Sequence, residues 1–419
     1  MSKRTRYLVG LSGGVDSSVA AARLLEAGHE VVGVYLKAWE GWEDRGQRTE
    51  DNPNRLSFTG QCPWKDDIAD GRRVAAHLGI PYEVIEVHEA YRARVVDVML
   101  AEYAAGRTPN PDILCNREMK FGLLLDLARE LGFDGVATGH YAQVRPSFTS
   151  QESAQSANTP EVVPARPSKV KGHMSKVELH RGRDERKDQS YFLWNIDRRA
   201  LSMIEFPLGD STKVQVREEA RRRSLPTAEK KDSQGICFLG PVDLRQFLID
   251  QLQLVPGEVV DTAGRSIGTH RGAAAYTVGQ REGLRVEGVG SRGEIRPRYV
   301  VARELESNRL IVDTQPPTSR ELVATHLNWL VDDLPKVGER IEARIRHGQQ
   351  PQRCTVEETT RQPDRQTTKS GGLAPGMSGS LHLRFREPQV AIAPGQSVVF
   401  SRGSLILGGG IIAEPVAGG

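Results

Sequence analysis

A chain of 419 residues with 38% hydrophobic and 26% charged side chains is too long for one ordinary core, so we expect a soluble protein of two or three domains. Its net charge of +3 does not indicate a nucleic-acid binder, although a local basic face is compatible with it. The four cysteines are too scattered for a disulfide framework, and neither a signal-peptide core nor a membrane-spanning apolar run is present, which predicts a cytosolic protein with no membrane partner.

Strand-like and helical patterns alternate in the first third of the chain. This alternation predicts an α/β fold, with a parallel, doubly wound sheet that carries helices on both faces. Ligands in such sheets bind beyond the carboxyl ends of the strands. The predicted strands are residues 6–11, 30–36, 82–87 and the start of 134–144, and the predicted helices are residues 15–27, 69–80, 89–105 and 118–131.

Later segments have a different character. Residues 146–172 are rich in Ser, Thr, Pro and Ala, which predicts a flexible insertion, and residues 359–372 resemble a second mobile loop. Structure resumes at 177–182 and 189–196. After about residue 250, short alternating runs with glycine turns predict a small β-rich central domain and a C-terminal β-barrel.

The sequence SGGVDSS at residues 12–18 follows the first predicted strand and looks like a phosphate-binding loop without the usual lysine. Backbone N–H groups, the following helix N-terminus and the hydroxyls of Ser12, Ser17 and Ser18 are still able to hold an anion. Such a site suits a pyrophosphate that departs whole, with AMP passing to the substrate. Asp16 would orient the loop or bind Mg²⁺. The alternative is a tight strand-to-helix turn capped by Ser12.

Two cysteines lie in polar, turn-rich strings, GRTPNPDILCNREMKFG at 106–122 and KKDSQGICFLG at 230–240. Cys115 stands just before a helix expected to start near Arg117, and Cys237 follows a lysine pair, so both thiolates should be favoured. The alternative for any cysteine is a small buried apolar residue, and we retain that interpretation for Cys62 and Cys354.

The SGGVDSS loop resembles the pyrophosphatase loop of adenylating enzymes such as asparagine, argininosuccinate, GMP and NAD synthetases. Further strings make the whole chain resemble the tRNA-specific 2-thiouridylase family, except for the insertion at 146–172. The matching strings are SGGVDSS (12–18), TPNPDILCN (108–116), ATGHYA (137–142), KDQSYFL (187–193), KDSQGICF (231–238), GQREGL (279–284) and APGQSVVF (393–400).

The resemblance implies a sheet of the adenine-nucleotide alpha-hydrolase-like type and a specific reaction. Residues 1–205 would form the ATP-pyrophosphatase domain, 206–300 a central tRNA-binding domain and 301–419 the barrel. Wobble uridine in the anticodon arm of tRNA would be adenylated with ATP and Mg²⁺, and its 2-oxo oxygen would be replaced by sulfur. A sulfur-donor protein would load Cys237 with a persulfide, Cys115 would close a disulfide with it, and Asp112 would accept a proton.

The same resemblance assigns two sets of binding residues. The ATP contacts are Gly10, Leu11, Ser12, Gly13, Gly14, Val15, Asp16, Ser17, Leu36 and Gly139. The tRNA contacts are Asn110, Pro111 and Asp112 at the target base, and His140, Lys187, Asp188, Gln189, Arg346, His347 and Gln396 elsewhere. The residues by themselves also permit other interpretations. Lys187 would be a solvated surface charge, His140 would cap a loop, and Gln396 would belong to an ordinary turn of the barrel.

Three other functions are compatible with these residues. The first is another adenylating ligase or amidotransferase, although no glutaminase segment is recognisable. The second is a tRNA thiolase in which Cys115, Cys237 and Asp112 bind an iron–sulfur cluster. The third is a tRNA- or nucleotide-binding protein without catalysis. The basic stretch 217–231 would contact the tRNA backbone, or form an exposed charged helix.

Overall fold

The computed structural model describes residues 4–38, 63–147, 177–232, 243–286, 297–361 and 379–413. Almost all of the predicted insertion at 146–172 and most of the predicted loop at 359–372 lie outside these residues, as do Cys62 and Cys237. Within the described ranges, no helix is both long enough and apolar enough to cross a membrane.

The predicted parallel sheet is confirmed. Its strands are β1 (Arg6–Gly10), β2 (Glu30–Lys37), β3 (Tyr82–Glu86), β4 (Gly135–Ala137) and β7 (Ile204–Glu205). They lie in the order β3-β2-β1-β4-β7, and every neighbouring pair is parallel. The chain moves outward from β1 to β3 and then returns to the other side of β1 at β4. The topological switch point therefore falls between β1 and β4, where an α/β sheet opens a crevice for ligands.

The helices of this domain are α1 (Val15–Glu26), α2 (Pro63–Leu78), α3 (His88–Tyr91), α4 (Asp97–Ala104), α5 (Pro111–Cys115) and α6 (Leu124–Glu130). Wider π-helical turns, Arg92–Val96 and Asn116–Leu123, connect α3 to α4 and α5 to α6. Two predicted starts are wrong. The second helix begins at Pro63 rather than at residue 69, and the helix expected near Arg117 already begins at Pro111.

Apolar side chains bury both faces of the sheet. Leu8, Val34 and Val136 belong to a large core that continues into the central domain, whereas Val9 and Val31 pack in a second core on the opposite face. Strands covered on both faces read as continuous apolar runs, as is typical of parallel sheets. This pattern is the reason the first strands are recognisable in the sequence.

The segment 134–144, whose start was predicted as a strand, divides between two sheets. β4 ends at Ala137, and the chain turns before β5 (Ala142–Pro146), which forms an antiparallel hairpin with β6 (Val177–Arg181). The prediction of a strand at the start of this segment is therefore confirmed, and the chain leaves the parallel sheet directly after it.

The central domain contains a five-stranded sheet in the order β10-β9-β8-β12-β11, with α7 (Lys213–Arg222) and α8 (Leu244–Leu252) preceding it in the chain. β8 and β12 are parallel, and the other pairs are antiparallel. The strands are β8 (Gly257–Asp261), β9 (Ser266–His270), β10 (Arg285–Val286), β11 (Tyr299–Glu304) and β12 (Arg309–Asp313).

A closed antiparallel barrel follows, as predicted. Its strands are β13 (Thr318–Trp329), β14 (Arg340–Arg344), β15 (Gln352–Arg361), β16 (Gly379–Val390), β17 (Ser397–Arg402) and β18 (Leu405–Ile412). The order β13-β16-β15-β14-β17-β18 closes through pairing of β13 with β18. Sequence reasoning missed β13 and β15. β6 also joins β18, through the Leu405–His180 pair, so a hairpin from the predicted first domain extends the barrel sheet.

Candidate active site

The glycine loop crosses the carboxyl end of β1 and leads directly into α1. Gly13 has a φ of +71°, and a Cβ there would lie 2.2 Å from the backbone oxygen of Asp67, so only glycine fits without rearrangement. Gly14, and not Ser12, is the N-cap of α1, and as a glycine it has no side chain to accept a hydrogen bond there. The predicted alternative of a turn capped by Ser12 is therefore wrong. α1 thus begins just after the carboxyl end of β1, the position at which the N-terminus of a helix binds anions in other α/β proteins.

The three loop hydroxyls have different surroundings. Ser17 Oγ and Ser18 Oγ donate to the carbonyl oxygen of Gly14, at 3.1 and 2.7 Å, and Thr227 donates to Ser18 Oγ. Ser12 is exposed, with its Oγ 3.3 Å from that of Ser17. The structure therefore directs the Ser17 and Ser18 hydroxyls into the turn, and Ser12 presents its hydroxyl at the surface of the loop.

A cation that sequence reasoning missed reaches the loop from α7. Lys213 Nζ lies 2.9 and 2.8 Å from the two carboxylate oxygens of Asp16, and the Tyr141 hydroxyl donates to Asp16 Oδ1 at 2.8 Å. Burial and the Asp16 charge raise the Tyr141 pKa far above its ordinary value, so Tyr141 remains a donor. The available sequence signal was the capping pattern Thr212-x-x-Gln215, which predicts a helix start but no neighbour.

The loop after β4 forms the other wall of the crevice. A Cβ on Gly139 would lie 2.7 Å from the carbonyl carbon of Asp16 and 2.8 Å from the backbone nitrogen of Ser17. The backbone after β4 thus touches the start of α1. Leu36, near the end of β2, is buried in the core instead of facing the loop. Its predicted contact with adenine stays a prediction.

We expect Gly139→Ala to weaken the predicted binding of ATP at least about tenfold, because the methyl group must push the β4 loop away from α1. Calorimetric titration of the protein with ATP would measure this change. Ser202→Ala is the comparison, since Ser202 lies in the short helical turn Arg198–Met203 and its hydroxyl donates to the nearby Arg199 carbonyl oxygen. An equal effect of the two substitutions would contradict this account of the crevice.

His140 is enclosed rather than presented to solvent. Its Nδ1 lies 2.7 Å from Thr138 Oγ1, and its ring packs against Phe121 and Phe206. Burial, with a smaller contribution from the charge of Lys120, holds the His140 pKa well below its ordinary value, so the ring is neutral. Its predicted contact with tRNA stays a prediction.

Asn110, Pro111 and Asp112 form the start of α5. Asn110 Oδ1 accepts from the backbone N–H groups of Asp112 and Ile113, at 3.1 and 3.4 Å, and Pro111 occupies the first helical turn. An Asn cap followed by Pro is a recognised helix start, and this signal would have placed the helix correctly. Cys115 therefore lies inside the helix, fully buried, and not ahead of its N-terminus. The prediction that a helix N-terminus just after Cys115 favours its thiolate is therefore wrong.

All three parts of the protein hold the loop that leads into α5. Thr108 donates its backbone N–H to Pro394 and accepts from Gln396 Nε2 at 2.8 Å, and its hydroxyl reaches Thr277 Oγ1. Gln396, predicted to contact tRNA, thus ties the barrel to this loop. A Cβ on Gly395 would lie 2.5 Å from the Thr108 nitrogen, which confirms how closely the two segments approach.

The predicted tRNA contacts at 187–189 have unequal exposure. Asp188 is buried and forms an ion pair with Arg344 at 2.8 Å, while it also accepts from the Gly182 N–H. Gln189 Oε1 accepts from the Tyr141 N–H, and Lys187 reaches Asp232 at 2.7 Å. The Asp188 carboxylate organises the loop internally, and contacts of these residues with tRNA stay predictions.

Arg346 and His347 are exposed on the barrel. Arg346 donates to the carbonyl oxygen of Ala391, and the His347 ring lies 4.4 Å from that of Phe192, centroid to centroid. Burial lowers the His347 pKa, against the opposing influence of a backbone hydrogen bond at Asp188 and of the Asp188 and Asp112 carboxylates. The predicted contacts of Arg346 and His347 with tRNA stay predictions.

Asp232 is the last described residue before Cys237, and it belongs to an ionic cluster. Asp232 pairs with Lys187, Lys213 and Arg217, at 2.7, 2.8 and 2.9 Å. Burial alone would raise the Asp232 pKa, but the hydrogen bonds and charges of Lys187 and Lys213 lower it to about 2. The approach of Cys237 to Cys115 stays a prediction.

Two remaining sequence interpretations concern the basic stretch and Cys354. In the stretch 217–231, Arg217, Arg221 and Arg223 all pair with acidic side chains, as expected of a charged helix surface. Cys354 is buried in the barrel core, as the apolar interpretation predicts. Across the described ranges, no group of three or more His, Cys, Asp or Glu side chains is arranged to hold a metal ion.

Comparison with known proteins matches each part of the chain to a family model. A tRNA methyl transferase HUP domain matches residues 5–241, a tRNA methyl transferase PRC-barrel domain residues 245–314, and an aminomethyltransferase beta-barrel domain residues 364–412. The fold and the site therefore define a HUP-domain protein with two attached β domains.

Curated relatives narrow this class. A tRNA-specific 2-thiouridylase MnmA of Akkermansia muciniphila is 40% identical over 97% of this chain and 98% of its own length. The corresponding protein of Alcanivorax borkumensis is 40% identical over 98% of both chains, and one from Aliarcobacter butzleri is 37% identical over 99% of both. The chain belongs to the tRNA-specific 2-thiouridylase family.

Proposed function

We propose that this protein is an ATP-dependent tRNA 2-thiouridylase. It adenylates the 2-oxo group of the wobble uridine and replaces the oxygen with sulfur from a cysteine persulfide. The observation that carries the proposal is the 40% identity to tRNA-specific 2-thiouridylases along almost the whole of both chains. The lysine-free glycine loop at the switch point and the Asp112–Cys115 helix supply groups suited to this chemistry.

In the first step, the uridine O2 attacks the α-phosphorus of ATP. The bond from the α-phosphorus to the bridging oxygen breaks, and its electron pair leaves with pyrophosphate. The amides of the first turn of α1 bind this anion, because the helix N-terminus carries partial positive charge and its N-cap residue, Gly14, has no side chain that would compete for them. Asp112 accepts a proton from the base. The carbonyl oxygen, a poor leaving group, has become the phosphate oxygen of AMP.

In the second step, the terminal sulfur of a persulfide on Cys237 attacks C2, and AMP leaves with the C–O electron pair. The Cys115 thiolate then attacks the Cys237 sulfur. The S–S bond to the transferred sulfur breaks, its electrons remain on that sulfur, and a Cys115–Cys237 disulfide forms. A thiol reductant must supply two electrons before the next turnover. The burial of Cys115 protects its thiol from solvent oxidants between turnovers.

The proposal includes Mg²⁺ and a sulfur-donor protein. Mg²⁺ commonly binds nucleotide phosphates with only one or two protein carboxylates, and it neutralises their charge. Asp16 fits either role assigned to it, since its carboxylate lies at the start of α1, although Lys213 and Tyr141 already orient both of its oxygens. The donor would deliver its sulfur to Cys237.

The test is mass spectrometry of tRNA nucleosides from cells with and without the gene. We expect the derivatives of 2-thiouridine to disappear on deletion and to return with the wild-type gene. A Cys354→Ala gene should restore them equally. Loss of a methylated nucleoside instead would favour the methyl transfer named by the HUP-domain family model, and the proposed function would then be wrong.

A further inference from the structure

The ammonium group of Lys213 lies beside the nucleotide loop, although Lys213 is distant from that loop in the sequence. Asp16 is the second residue of α1, and both of its carboxylate oxygens are within 2.9 Å of Lys213 Nζ. The positive charge is therefore placed at the end of the loop where a phosphate would meet the helix N-terminus. The usual lysine of a phosphate-binding loop, absent from residues 12–18, has its chemical equivalent here.

The backbone of Lys213 is held rigidly. Lys213 is the first residue of α7, and Thr212 and Gln215 form a complete capping box around it. Its own N–H donates to Asp184 Oδ2 at 2.8 Å. The side chain is only 14% exposed, so the ammonium group has little freedom to turn into solvent. Such preorganisation is what electrostatic stabilisation of a developing charge requires.

The charged neighbours allow Lys213 to change partners without leaving a carboxylate unpaired. Asp232 pairs with Lys187 and Arg217 as well as with Lys213. Asp16 keeps the hydroxyl of Tyr141 as a donor. An ammonium that moves from these carboxylates toward an adjacent anion therefore does not leave a bare buried charge behind, which is the costly outcome.

We propose that Lys213 is a catalytic residue that binds pyrophosphate as it leaves ATP. This inference rests on the proposed function. As the bond between the α-phosphorus and the bridging oxygen breaks, its electron pair and negative charge collect on the departing pyrophosphate. The ammonium group of Lys213 stabilises that charge by ionic hydrogen bonds, and the step transfers no proton or electron to or from it.

The test compares Lys213→Met and Lys213→Arg with wild type and with Arg129→Met. Arg129 is the control, because it is another basic residue on a helix, α6, and pairs with Asp126 at the protein surface. We expect Lys213→Met to slow tRNA-dependent pyrophosphate release about 10²-fold. Its affinity for inorganic pyrophosphate, measured by calorimetry, should fall at least about tenfold, and that for AMP less than about twofold. Lys213→Arg should recover most of the pyrophosphate affinity, and Arg129→Met should behave as wild type.

A purely structural role would give different results. If Lys213 only orients Asp16, then Lys213→Met should cost nothing further in an Asp16→Asn background, and pyrophosphate and AMP affinities should fall together. Either result would overturn the proposal. Thermal unfolding checks each variant, and Lys213→Gln replaces Lys213→Met if the latter does not fold. Calorimetry does not require turnover of tRNA. If the wild-type protein failed to thiolate tRNA, the proposed function would be wrong, but the calorimetric comparison would still test whether Lys213 binds pyrophosphate.

Discussion

Replacing Cys115 with alanine is expected to lower 2-thiouridine formation at least about 10³-fold while pyrophosphate release from ATP continues for one turnover. Without the Cys115 thiolate, nothing cleaves the S–S bond that joins the transferred sulfur to Cys237. Adenylation precedes this step and depends on the glycine loop. Rapid-quench measurement of pyrophosphate, together with nucleoside mass spectrometry of the same samples, would separate the two steps.

Cys354→Ala is the matched control, since Cys354 is the other buried cysteine among the described residues. Burial, with the nearby charge of Glu342, raises the Cys354 pKa to about 12, so it is an unreactive thiol in the barrel core. We expect this variant to be about 1 kcal/mol less stable than wild type and to keep its full thiolation activity. Full thiolation by Cys115→Ala would show that the disulfide-forming mechanism is incorrect.

Arg344→Met is expected to destabilise the barrel by about 3–5 kcal/mol, because it leaves the Asp188 carboxylate buried without its counter-ion. Arg344 Nη1 lies 2.8 Å from Asp188 Oδ2, Nη2 donates to Ser190 Oγ at 2.7 Å, and the Arg344 and Asp188 side chains are only 6% and 4% exposed. Urea denaturation followed by tryptophan fluorescence would measure the loss, since Trp329 belongs to β13.

The exposed pair Arg145–Asp210 provides the comparison. Arg145→Met should change stability by no more than about 1 kcal/mol, because solvent screens this pair and its partners stay hydrated. In Arg344→Met, the loop at 187–189 should also loosen, and affinity for tRNA should fall with it. A variant as stable as wild type would refute the view that the buried pair holds this loop against the barrel.

Local patterns in the sequence carry much of the architecture. Continuous apolar runs predict the parallel strands β1 and β2, and glycine-punctuated alternation predicts the barrel. The SGGVDSS string predicts the loop after β1. Gly13 has a positive φ there, and glycine is the residue that adopts this backbone conformation readily. The misplaced start of α5 was also a local matter, since Asn110 and Pro111 carry a capping signal that is readable without the structure.

Such local patterns did not predict the contacts between segments that are distant in the sequence. Lys213 pairs with Asp16, Gln396 supports Thr108, and the hairpin of β5 and β6 joins the barrel, all across long stretches of chain. Spacing along a helix or strand encodes which side chains share a face, but it has no information about which element comes to lie opposite. The packing of the domains makes that choice, and it places the missing cation beside the loop.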